Sequence, residues 1–169
     1  MAESSGVFII SLDFELQWGV RDLCTVEEYK ANLLGAREAI PQLLEIFTGH
    51  GIHATFATVG FLFARDRTEL QESLPLVLPG YVNKAFSPYR ELGQIGEDES
   101  DDPFHFGSSL VEKIKATPGQ EIGSHTFSHY NCLETGHNLE AFGEDLRSAR
   151  KLAAKRGAGL TSLVFPRNQ

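Results

Sequence analysis

Glu121-Ile122-Gly123-Ser124-His125-Thr126-Phe127-Ser128-His129 joins a short strand pattern to a pair of histidines. Residues 121–124 alternate and contain the small Gly123. They read as a strand that ends where the chain turns polar. Upstream, residues 108–116 predict a helix with Leu110, Val111 and Ile114 on one face, and Pro118-Gly119 turns the chain back. Downstream, 139–156 predicts a second helix with Leu146, Ala149 and Leu152 as its apolar stripe, ended by Gly157 and Gly159. Residues 160–165 read as a last strand before Pro166-Arg167-Asn168-Gln169.

The N-terminal half repeats the alternation. Residues 7–12, Val-Phe-Ile-Ile-Ser-Leu, predict a strand buried on both faces. Thr25 with Glu28 three residues later forms a capping-box pattern for a helix from about Val26 to the glycines at 49–51, with Pro41 a possible break. Residues 52–59 predict a second strand, and a short helix follows over 61–65. Residues 72–106 hold Pro75, Pro79, Pro88, Pro103 and the acidic run 97–102. That stretch is too long for an ordinary connection. It reads either as a functional excursion or as a solvated surface loop. The order β-α-β-α-loop-α-β-α-β predicts parallel strands in an α/β fold, with chemistry at the carboxyl ends of the strands.

Composition narrows the function classes. Of 169 residues, 15 are Lys or Arg and 23 are Asp or Glu, a net charge of −8. This disfavours nucleic acid or an anionic membrane as partner, since both require a positive surface. No apolar run approaches the roughly 20 residues of a membrane helix, so no membrane insertion is expected. The polar start and only two cysteines, Cys24 and Cys132, point to a reducing, cytoplasmic setting.

The candidate site residues follow the strands. His125 and His129, at i and i+4, can present both imidazoles on one side of a helical turn or a tight loop, which suits zinc or a similar ion. Asp13 and Glu15, at i and i+2, point the same way from an extended segment, with Phe14 opposite. One carboxylate would complete a two-histidine, one-carboxylate site, and the other would act as general base. Arg167 is a candidate for orienting that base or contacting substrate, with a surface arginine the alternative, and Trp18 for stacking on a sugar ring or packing against a barrel rim. A helix cap and a loop ion pair are the structural alternatives for the two carboxylates. His50, His53 and His105 have no evident partner in the sequence.

Together these pieces resemble the polysaccharide deacetylase family, also called the chitooligosaccharide deacetylase homology domain. Ser11-Leu12-Asp13-Phe14-Glu15 is similar to its T-F-D-D-G motif, and residues 54–60 to its A-T-F-F-V-x-G element. His125-Thr126-Phe127-Ser128-His129 matches H-[ST]-x-x-H, and Phe165-Pro166-Arg167 echoes an R-x-P element. The resemblance spans 7–169, with the insertion 72–106 outside it. It implies one catalytic domain over 1–169, a deformed (β/α) barrel that is incomplete in this chain. The later family elements, an aspartate-tryptophan segment and a final histidine acid, are not among these residues, which leaves open metal binding without activity in this chain alone. It further implies metal-dependent removal of N- or O-acetyl groups from a carbohydrate. In that scheme Asp13 is the base toward a metal-activated water, and His125 and His129 are ligands. Phe14 stands where the family has its aspartate ligand, so Glu15 is expected to replace it. Zinc is the expected ion, with Co, Ni or Mn as alternatives.

Two other readings are carried forward. One is a metal-independent C–N hydrolase acting on a small cyclic or linear amide, whose activity survives chelation. The other is a non-catalytic sugar-binding module using Trp18 and the 72–106 loop. Oligomeric state is not legible.

Overall fold

The computed structural model describes residues 6–168. Its centre is a three-stranded parallel sheet in the order β1 (Ser11–Phe14), β2 (Thr55–Thr58), β3 (Glu121–Ser124). Asp13 lies beside Ala57 across the first pair, and Thr58 beside Ser124 across the second. All three carboxyl ends therefore open at one end of the sheet. Five α-helices accompany the strands among the described residues: α1 (Gln17–Val20), α2 (Val26–His50), α3 (Arg67–Glu72), α4 (Ser108–Ala116) and α5 (Leu139–Lys155). The fold is mixed α/β.

The helix α2 forms as its caps direct. Both halves of the Thr25–Glu28 capping box are made, and Gly51 closes the far end in a left-handed conformation. Pro41 does not break it. A proline inside a helix removes one backbone hydrogen bond. Here Leu33, Ile40, Leu44 and Phe47 hold the stripe on either side of it against the core. The strand α4 leads into, and α4 itself, match the predicted spans, and α5 ends one residue earlier than expected.

Three local expectations are corrected. The first strand lies at 11–14 rather than 7–12, and Val7, Phe8 and Ile9 are 77–87% exposed. An apolar run looks the same in a central and an edge strand, and β1 has a described neighbour on one side alone. The segment 160–165 makes one parallel bridge, Ser124 to Leu163, rather than a strand. After β2 comes a 3-10 turn, Gly60–Phe63, in place of an α-helix.

The excursion 72–106 is not a solvated loop. Tyr81, Leu92, Ile95 and Phe106 are buried. Arg37 on α2 donates to the Pro103 and Phe106 carbonyls and pairs with Glu99 at 2.5 Å. Asp102 accepts from Gly96 N and Phe104 N and bonds the His105 ring at 2.8 Å, so His105 has a partner after all. The acidic run is folded onto its own backbone, with Asp98 taking the amides of Ser100 and Asp101.

Candidate metal centre

His125 follows β3 directly, and the segment 125–131 is a loop rather than a helical turn. Two of its residues, Thr126 (φ 63°) and His129 (φ 55°), take the left-handed conformation that side chains rarely adopt. That curl brings the two imidazoles to 5.3 Å between ring centroids. The strain persists because the surrounding structure over-determines it. The His125 amide donates to Thr58 O, and the amides of Gly60 and Phe61 donate to the carbonyls of Thr126 and Phe127. Gly60 permits this approach, since a Cβ there would stand 2.7 Å from Phe127 Cα.

Behind the loop lies Asp145 of α5, fully buried. One carboxylate oxygen accepts from Phe127 N at 2.6 Å. The other accepts from Ser128 N at 3.2 Å and Ser128 Oγ at 2.5 Å. Burial pushes its carboxyl up to about 6, against the pull of these hydrogen bonds. The sequence reading passed over Asp145. Its signal was present, since it shares helical spacing with Ala141, Ser148 and Leu152, the buried stripe of α5. From the opposite side the 72–106 excursion frames the loop: the Asn131 amide donates to the Tyr81 hydroxyl at 2.9 Å.

Glu15 reaches the same point from the end of β1. Its Oε2 lies 3.3 Å from His125 Nε2 and 3.1 Å from His129 Nε2. The three donor atoms fall within 4.8 Å of one another. Zinc bonds of about 2.1 Å in a tetrahedron put ligand atoms about 3.4 Å apart, so the two Glu15 spacings suit a shared ion. Burial opposes the charge on Glu15, but the flanking imidazoles, when protonated, donate to it and hold the carboxyl at about 2. Asp13 projects to the same side, more exposed, with Oδ1 4.0 Å from His125 Nδ1. Phe14 points the other way and is buried, so its position belongs to the core.

The donor chemistry tests whether a cation fits. His125 Nδ1 lies 3.0 Å from Val164 O, and a carbonyl only accepts, so Nδ1 carries the proton. In its neutral form the ring presents a lone pair at Nε2. That atom is fully buried and has no hydrogen-bond partner, although a carboxylate oxygen stands 3.3 Å away. Two acceptors facing each other in a buried site need a proton or a cation between them. A backbone carbonyl fixing the remote ring nitrogen is also the usual support for a metal-binding histidine. The residues fit a divalent ion.

Two predicted site residues are not brought to this centre. Trp18 is 1% exposed, with its Nε1–H donated to His105 O at 2.8 Å and its ring edge-on to Phe61 at 4.7 Å. It has no free face for a sugar, and its role is packing. Arg167 pairs with Asp22 and lies 5.3 Å over the Phe86 ring. Its described partners are these, not Asp13. A cavity of about 300 Å³ opens between β1 and α2, lined by Asp13, Glu15, Leu16, Tyr29, Leu33 and Ile40 among others but by neither histidine. No protein-family model and no curated protein matches this chain. No helix is long and apolar enough to cross a membrane among the described residues.

Proposed function

We propose that this chain is a metal-dependent carbohydrate deacetylase built on a partial (β/α) barrel. The convergence of Glu15, His125 and His129 on one point, with Asp13 at the rim, carries this reading. Two imidazoles and one carboxylate leave room for water and substrate, as hydrolytic zinc sites require; Co, Ni or Mn satisfy the same donors. A divalent ion bound there would supply Lewis acidity, polarising an acyl carbonyl and acidifying a water. The chain's own groups do the rest. Val164 O keeps the His125 proton on Nδ1, and Asp145 braces the loop that carries both imidazoles. Asp13, the more exposed carboxylate, takes the proton of the attacking water as general base. Asp13 and Glu15 also line the cavity beside β1.

The choice of carbohydrate rests on the order of the sequence elements quoted above, and the net charge of −8 is compatible with a neutral sugar. Both cysteines are half-buried free thiols, which suits the reducing cytoplasm. The burial of Trp18 argues against a sugar-binding module that would stack on it.

Calorimetric titration of the chain with zinc tests the reading. One site is expected, lost in His129→Ala; a wild-type chain that takes up no zinc overturns it. Acetate release from an N-acetylated oligosaccharide should stop with chelator and return with zinc. Hydrolysis that survives chelation would instead favour the metal-independent C–N hydrolase.

A further inference from the structure

Glu15 is a flexible side chain, yet its carboxylate must meet two buried imidazoles at once. The neighbouring backbone shows what holds it there. Leu16, directly after it, is buried and takes φ 46°, a left-handed conformation costly for leucine. This sharp turn folds the start of α1 back over the end of β1. The result is that the Glu15 side chain lies flat on the backbone of Gly19. A Cβ built on Gly19 would overlap the carboxyl carbon and Oε1 of Glu15 and stand 2.5 Å from its Cγ.

The backbone itself does not call for glycine at this position. Gly19 is not among the left-handed glycines of the chain, and it sits inside a helical segment where alanine is ordinarily preferred. Its neighbours along α1, Gln17 and Trp18, are both buried, so an added methyl at Gly19 is relieved by a shift of the Glu15 carboxylate rather than of the helix. The missing side chain leaves the space that the carboxylate occupies.

The geometry points to Gly19 as a positioning residue for the metal centre: its bare Cα seats the Glu15 carboxylate against His125 and His129. This inference rests on the metal reading above. Replacing Gly19 by alanine should push the carboxylate off the two Nε2 atoms while leaving both histidines in place. The affinity for zinc should fall roughly 10- to 100-fold, the size of effect seen when an outer-shell support is lost.

The experiment compares the wild-type chain with G19A, E15Q and the double variant. Zinc affinity is read by calorimetry, and the imidazole nitrogen signals of the metal-free proteins are read by NMR. Unchanged circular dichroism establishes that G19A folds. If it does not, E15D in the G19A background removes one methylene from the overlap and should restore folding. G19A is expected to weaken zinc binding and to move the His125 and His129 ring signals, with no further loss when added to E15Q. Wild-type affinity in G19A, or an equal loss in the E15Q background, overturns the positioning role. A wild-type chain that binds no zinc while G19A still moves the ring signals overturns the metal reading and leaves the Gly19–Glu15 contact standing. No zinc binding and unmoved signals overturn both.

Discussion

Oε2 of Glu15 stands 3.1 Å from Nε2 of His129, across a sheet in which β2 separates the strands that carry them. Neither residue is near the other in sequence. The contact exists because β1 and β3 run parallel to β2 in a register that ends all three at one level. Everything inferred about the centre depends on that alignment and on the loop 125–131 being held in its curled form.

Asp145 should make stability depend on pH with a definite sign. Its carboxyl ordinarily titrates at 3.8 and is raised to about 6 in the folded chain. The folded state therefore holds this proton more tightly than the unfolded state. Its contribution is fully present below about pH 3.8 and is lost as pH rises through about 6, a difference of roughly 3 kcal/mol. Urea unfolding at several pH values between 3.5 and 7 reads it as the difference between the wild type and Asp145→Asn. The variant should lack this component. Identical pH profiles for the two proteins would contradict it.

The same substitution has a cost at neutral pH. Asp145 uses both oxygens as acceptors, whereas asparagine turns an NH2 group toward the Ser128 donors. Leaving buried donors unmatched costs about 1–3 kcal/mol. A lowered urea midpoint at pH 7, with unchanged slope, is the expected outcome.

Trp18 should behave as a core residue. Trp18→Ala removes an indole packed on Phe61 and leaves His105 O without its donor. The expected loss is roughly 3–5 kcal/mol, with oligosaccharide binding unaffected in whatever fraction remains folded. Thermal unfolding and a sugar titration separate the two. A stable variant that has lost sugar binding would restore the stacking role.

Phe14→Asp restores the residue type that the resembling family carries at this position, and it should fail to help. Phe14 is 3% exposed, and its ring tip lies against Gly107, away from the histidines. A carboxylate there enters the core without a partner, and the chain should lose several kcal/mol of stability. Zinc affinity higher than wild type would mean that the side chain had found the centre.

Arg167→Ala should leave zinc affinity unchanged, because Arg167 reaches Asp22 and Phe86 instead of the Glu15 cluster. The ion pair is partly exposed, so its loss should lower stability by no more than about 1 kcal/mol. Calorimetry and thermal unfolding of the one variant check both statements.

The local signals in the chain were sufficient for local structure. The Thr25–Glu28 box, the apolar spacing of 108–116 and the Pro118-Gly119 turn act within a few residues of one another, and α2, α4 and β3 follow them. The spacings of Asp13 with Glu15 and of His125 with His129 likewise place each pair on one side of its own segment. What those signals lack is any record of neighbours. The run 7–12 carries the pattern of a buried strand, but its exposure depends on what pairs with its edge. Trp18 has the same composition whether it faces solvent or Phe61. The excursion 72–106 has no periodicity, and its order comes from contacts to Arg37 and, through Tyr81, to the histidine loop.

The sequence by itself determined where α2, α4 and α5 start and stop, which strand precedes the histidines, and which side chains have the chemistry to hold a cation. Tertiary structure decided that Glu15 rather than Phe14 meets the histidines, that Trp18 and Asp145 support the site from the core, and that Arg167 lies elsewhere. The reason is range. Capping, turn and periodicity signals act over one or two turns of chain, whereas the centre is assembled by parallel strand register and by loops braced from distant helices.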